Sequence, residues 1–141
     1  PTEPILVALK TVALAGVDVR IMIPEKSDSQ AIHWGTLSYL SELMEAGVKI
    51  YMYKKGFLHS KLMVSDDCLA TVGSTNMDFR SFESNFEINA FMYDRTSALK
   101  LKDVFLSDQK DAKLIHLGKW HMRPWSQKVK ESVIRLFAPL L

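Results

Sequence analysis

The order of apolar and polar positions changes character twice along the chain. Residues 5–16 (ILVALKTVALAG) are densely apolar and rich in the helix formers Ala and Leu, with Gly16 where a helix-ending glycine belongs. Residues 17–24 (VDVRIMIP) then alternate, with Val17, Val19, Ile21 and Ile23 at the period of two expected of a strand, and Pro24 ends the run. A polar loop, residues 25–30, precedes a second helical stretch, residues 31–46, whose Trp34, Leu37, Leu40, Leu43 and Met44 form one stripe. Gly47 closes that stretch, and residues 48–53 read as another strand. Helix, strand, helix, strand is the alternation of an α/β domain with neighbouring parallel strands.

The middle third differs. Residues 61–65 (KLMVS) and 69–72 (LATV) are two short strands around Asp66-Asp67, a tight hairpin, and residues 86–93 (FEINAFMY) are a further strand. The last third is helical: residues 96–108 carry Leu99, Leu101, Val104, Phe105 and Leu106, and residues 128–137 carry Val129, Val133, Ile134 and Phe137. Between them, residues 119–125 (KWHMRPW) are aromatic and basic.

Composition narrows the classes. With 48% hydrophobic residues the chain has too much apolar material for a solvated coil. Its 141 residues suit one core, so a single domain over 1–141 is expected. Eighteen Lys plus Arg against 16 Asp plus Glu give a net charge of +2, too weak to point to nucleic acid. The lone Cys68 excludes an intrachain disulfide and reads as a small buried hydrophobe in its strand. No apolar run reaches the ~20 residues of a membrane span. The start at Pro1, without Met, reads as a cut in something longer.

The chemistry concentrates between His59 and Asn89. His59 and Lys61 are two apart, so in a strand they share one face, an imidazole beside an ammonium. That pairing suits a phosphate: lysine supplies charge, histidine a nucleophile or proton carrier. Asp66 follows, then Gly73-Ser74-Thr75-Asn76, where glycine lets backbone approach a ligand and Ser74 and Asn76 supply hydrogen-bond donors. Glu87, in the strand after that turn, is placed to orient His59 through its other ring nitrogen. Each residue alone has a plainer reading: a surface histidine, turn aspartates, a polar loop, an exposed strand carboxylate. Together, at fixed offsets, they are hard to attribute to coincidence.

These residues reproduce H-x-K-x4-D-x6-G-S-x-N, and by it the chain resembles the phospholipase D superfamily. Residues 16–24, 38–66 and 72–94, with the closing RLFAPLL, make the resemblance closer: they are similar to the C-terminal catalytic half of bacterial cardiolipin synthases. The resemblance implies a phospholipase D-like mixed β-sheet flanked by helices on both faces. It implies two such motifs per active site, the second from an N-terminal half of the parent or from a homodimer. It implies a phosphohistidine intermediate, phosphatidylglycerol as phospholipid substrate with glycerol released, no metal or other cofactor, and no nucleic acid partner. His59 would be nucleophile or general acid/base; Lys61, Asn76 and Ser74 would bind phosphate; Glu87 would orient the histidine; Asp66 would support the site. Attachment to a bacterial cell membrane would come from the parent's N-terminal region, leaving this piece soluble. Two alternatives stay open: a metal-independent phosphodiesterase or nuclease acting as a homodimer, and a folded but non-catalytic fragment.

Residues outside the motif carry weaker readings. Phe57, Leu58, Met77 and Phe79 are either a lipid-facing rim or packing residues, Lys54 and Lys55 either meet anionic headgroups or lie in a solvated loop, and residues 119–125 have the composition of a membrane interface. His33, His116 and His121 read as non-catalytic.

Overall fold

The computed structural model describes residues 1–27 and 29–137; Asp28 of the polar loop and residues 138–141 of the RLFAPLL run lie outside the described residues. In chain order the described elements are α1 (Glu3–Leu14), β1 (Arg20–Pro24), α2 (Gln30–Ser38), α3 (Leu40–Glu45), β2 (Lys49–Tyr53), β3 (Lys61–Ser65), β4 (Leu69–Gly73), α4 (Phe79–Glu83), β5 (Asn89–Met92), α5 (Arg95–Gln109), β6 (Ala112–Leu114), α6 (Leu117–His121) and α7 (Trp125–Leu136).

Both helix-ending glycines adopt the left-handed conformation the sequence calls for. Gly16 has φ 93° and Gly47 φ 98°. After each, the chain folds back: Val17 N–H donates to the Val12 carbonyl and Val48 N–H to the Leu43 carbonyl, the six-to-one bond of a Schellman ending. The stretch 31–46 is two helices rather than one. The boundary falls at Tyr39, and just before it the Ser38 hydroxyl donates to the Gly35 carbonyl at 2.6 Å.

β1 and β2 pair in parallel, with Ile21 opposite Ile50, as the helix–strand alternation predicts. β6 then pairs antiparallel with the other edge of β2. This three-residue strand, too short to be seen in the pattern, makes the first sheet mixed, and the mixed α/β fold expected is found with its strands divided between two small sheets. With both edges of β2 occupied, β3 cannot join it, and the chain begins a second antiparallel sheet, β3-β4-β5. α5 touches both sheets, through β2 and β6 on one side and β3 and β4 on the other.

The core gathers where α1, α3 and α6 meet over β2. Leu6, Leu40, Leu43, Met44, Val48, Ile50 and Trp120 are buried together there. The Trp120 indole N–H, which burial would otherwise strand, donates to Ser41 at 3.1 Å. On the solvent side, Asp18 ties β1 to β2 through Arg20 and Lys49, and those two cations lower its carboxyl to about 2. Cys68 is not buried in a strand but exposed in the β3–β4 turn.

Ile50 is 0% exposed at the centre of this core. Truncation to alanine (Ile50→Ala) is expected to cost about 2–5 kcal/mol in urea denaturation. Val104→Ala, on the exposed side of α5, is expected to cost about 0.5 kcal/mol or less.

Candidate active site

Three strand ends meet at one edge of the second sheet. Lys61 opens β3 opposite Gly73, the last residue of β4, and Gly73 stands opposite Asn89, the first of β5. The flanking residues therefore come together: His59 before β3, Ser74 to Asn76 after β4, Glu87 before β5.

Gly73 makes this possible. A Cβ at this position would collide with the Ile88 carbonyl and with Asn89, so the glycine admits the neighbouring chain. Ser74 completes the junction. Its N–H donates to the Ile88 carbonyl at 2.9 Å, its hydroxyl accepts from Ile88 N–H at 3.0 Å, and that hydroxyl donates to Glu87 Oε2. One turn further, Asn89 Nδ2 donates to the Thr75 hydroxyl. Asp78 caps α4 by accepting from Ser81 N–H at 2.8 Å, and the Ser81 hydroxyl accepts from Asn76 N–H at 3.2 Å, which anchors the loop carrying Asn76.

Glu87 lies just before β5 rather than inside a strand, because the ladder begins only at Asn89. Its described partners are Ser74 and, at 3.4 Å, Asn85 Nδ2, not the His59 it was expected to orient. The Ser74 bond chiefly holds its carboxyl below the ordinary glutamate range, with help from Ser81, Asn85 and the Lys61 charge and against partial desolvation. Because the folded value is depressed, this carboxylate supports the fold above the ordinary range and loses that contribution as the solution is acidified.

His59 is exposed, and its ring stacks on Phe57, centroids 5.4 Å apart with 18° between planes. The Lys61 ammonium donates to the His59 carbonyl at 2.7 Å. Phe57 is the residue whose closeness the motif does not announce. The signal was its spacing of two from His59 in an extended segment.

Asp66 is not part of this cluster. It sits at the opposite end of the hairpin, about 16 Å from Lys61 at the usual ~3.3 Å rise per strand residue. There Asp66 and Asp67 have φ of 49° and 58°, and Cys68 N–H donates to the Ser65 carbonyl at 3.2 Å: a turn whose two left-handed residues suit Asp. Exposed apolar side chains surround the Lys61 end instead: Phe57, Met77, Phe79, Phe82, Phe86 and Ile88.

The geometry offers an exposed imidazole, an ammonium, a hydroxyl and a depressed carboxylate at one open edge, a set suited to a phosphate ester. The fold is similar to that of Nuc, a phospholipase D family member from Salmonella typhimurium, with a TM-score of 0.70 over 82% of this chain and 75% of that one, at 19% identity. This is a phospholipase D-type fold. Over all 141 residues the chain is 52% identical to a cardiolipin synthase of Geobacillus sp. (strain WCH70) and 48% identical to cardiolipin synthase 2 of Bacillus anthracis. It spans 28% and 27% of their lengths. Residues 1–109 match the family of the cardiolipin synthase, PLD-like domain, and the chain belongs to that family.

Since Ser74 is the first cause of the Glu87 shift, Ser74→Ala is expected to move the Glu87 carboxyl up toward its ordinary 4.5. Carbon-detected NMR titration of the glutamate carboxyls reads this directly; an unmoved Glu87 would show that the bond does not set its acidity.

Proposed function

We propose that this chain contributes one motif of a two-motif phosphatidyltransferase site that makes cardiolipin from two phosphatidylglycerols. The observation that carries the reading is the convergence of exposed His59, Lys61 and Ser74 at one strand-end edge, in a chain of this family. The chain spans less than a third of the relatives it matches, so the second motif is assigned to another part of a longer protein or to a second copy.

In the first step one histidine nitrogen attacks the phosphorus of phosphatidylglycerol. The bond from phosphorus to the headgroup glycerol oxygen breaks, the leaving alkoxide takes a proton from the histidine of the other motif, and glycerol departs. In the second step that deprotonated histidine removes a proton from a glycerol hydroxyl of a second phosphatidylglycerol. The freed oxygen attacks phosphorus, and the phosphorus–nitrogen bond breaks. His59 fills one of these two roles. Lys61 binds the phosphoryl oxygens as charge builds on them, with Asn76 and Ser74 as hydrogen-bond donors. Glu87 holds Ser74 in place, and Asp66 shapes the hairpin that carries Lys61. The exposed apolar rim around His59 supports a lipid substrate and a partner half. Among the described residues no helix is long and apolar enough to cross a membrane, and we assign any membrane-spanning anchor to the rest of a longer protein.

The test uses the longer protein with both motifs and labelled phosphatidylglycerol, following cardiolipin and free glycerol. His59→Ala is expected to lower turnover by about three orders of magnitude or more, as loss of a nucleophile or its proton partner does. Its melting temperature should stay near that of the parent, since His59 is exposed. Near-normal turnover would refute the assignment, and cleavage of DNA without cardiolipin formation would replace it with a phosphodiesterase.

A further inference from the structure

α7 is amphipathic in the wrong direction for a helix that packs on its own domain. It is the most strongly amphipathic of the chain's longer helices. Yet the residue it buries is Glu131, 6% exposed, while Trp125, Val129, Val133 and Leu136 are exposed at 78%, 37%, 49% and 79%. Spacings of four, four and three place these apolar residues on one face. At 3.6 residues per turn, Val129 and Val133 fall about 160° to either side of Glu131, so the apolar stripe faces away from the protein. Met122, 83% exposed, precedes the stripe, and Phe137 follows it.

Polar contacts hold the inward face. Arg123 grips both Glu131 oxygens at 2.5 and 3.1 Å and lies over the Trp120 ring, while Arg135 bonds Glu42 at 2.6 Å and lies over Tyr39. The stripe is therefore not a face turned out by loose packing. α7 is fixed by ion pairs, and these fix which side is left outside.

The charges around it have one sign. Residues 119–137 hold five Lys or Arg and one acidic residue, the buried and paired Glu131. Lys128 reaches the His121 carbonyl at 2.7 Å, and Lys130 lies 4.5 Å from the centroid of the Trp34 ring, so cations flank the stripe on both sides. The neighbouring carboxylates facing this region are Glu42, neutralised by Lys10 and Arg135, and Glu45, 3.5 Å from His121. An outward apolar stripe led by Trp, with basic residues along its borders, has the make-up of a helix that lies in the plane of a bilayer surface.

We propose that α7 docks on an anionic lipid surface, sinking Met122, Trp125, Val129, Val133 and Leu136 among the acyl chains while Lys119, Lys128 and Lys130 meet the headgroups. Cations along both borders of the stripe, with no exposed carboxylate in residues 119–137, match the uniform negative charge of an anionic lipid surface. The site is separate from the His59 edge, and the inference stands independently of the reaction proposed there.

The test is co-sedimentation of the 141-residue chain with phosphatidylcholine vesicles, with and without phosphatidylserine, which is not the proposed substrate. The chain should bind the phosphatidylserine vesicles, more weakly as salt is raised, and phosphatidylcholine alone at least about tenfold less. The double variant W125S/V133S should bind about tenfold more weakly, while Val104→Ser on α5 and His59→Ala bind as the parent does. As a second measurement, an environment-sensitive dye on V129C, in a Cys68→Ser background, should shift to the blue on vesicles, and the same dye on V104C should not. Vesicle binding unchanged in W125S/V133S, absence of binding to either vesicle, an unshifted V129C dye, or self-association of the chain that W125S/V133S abolishes would each overturn the proposal.

Discussion

The close approach of β5 to β4 at Gly73 is the constraint on which the site depends. Without a Cβ there, the Ile88 carbonyl and Asn89 lie against the end of β4, and Ser74 can bond both the backbone of Ile88 and the carboxylate of Glu87. Any side chain at 73 would wedge the two strands apart at the point where they carry the candidate site residues. Lys61 faces Gly73 across the ladder, so the same junction sets the distance from ammonium to carboxylate. The positive charge of Lys61 contributes to the depressed Glu87 acidity for this reason, although the two residues are 26 positions apart in sequence.

Much of this was legible because local rules govern it. Gly16 and Gly47 end helices by a conformation that glycine adopts freely, and Asp66-Asp67 turns the hairpin with residues that tolerate positive φ. The spacing of His59 to Lys61 and of Gly73 to Asn76 carried the site, since each pair lies within or beside one strand. What was not legible depends on partners far away in the chain. β6 has only Ala112, Lys113 and Leu114, no pattern at all, yet it takes the second edge of β2 and so divides the strands between two sheets. Glu87 read as a strand residue with a histidine partner. Its true partner follows from where the β4–β5 ladder stops, and alternation of side chains does not encode that. The 31–46 stripe was continuous in its apolar residues, and they carry no signal of the break at Tyr39.

Energetically the two sheets are unlike. The first lies under α1, α3 and α6, with the main buried cluster on it. The second has α5 behind it, where Ala70 and Ala98 are fully buried, but its other face leaves Met63, Phe91 and Tyr93 exposed beside the candidate edge. Met63 and Phe91 share that face with Lys61 by the register of the ladder, and a sheet with one bare apolar side is expected to be covered in a larger assembly. The chain spans little more than a quarter of the relatives it matches.

The bare face of the second sheet and the stripe of α7 are both apolar and both exposed, but their surroundings differ in kind. Around the sheet the apolar residues adjoin a mixed set: Lys61, Glu87, Arg80 and Glu83 lie along the same segments. Such a mosaic allows specific pairing with another protein surface, since each charge needs an answering one. Around α7 the exposed charges of residues 119–137 are all positive, and the one carboxylate is turned inward and bonded twice by Arg123. Burying Glu131 costs desolvation that its arginine must repay, and a helix packed only for stability would turn that position to water and Val129 or Val133 to the core. The domain keeps the ionic contact inside and leaves the apolar stripe out. That arrangement becomes favourable when the outer face has a hydrocarbon environment of its own, so the burial of one glutamate argues for what lies on the opposite side of the helix.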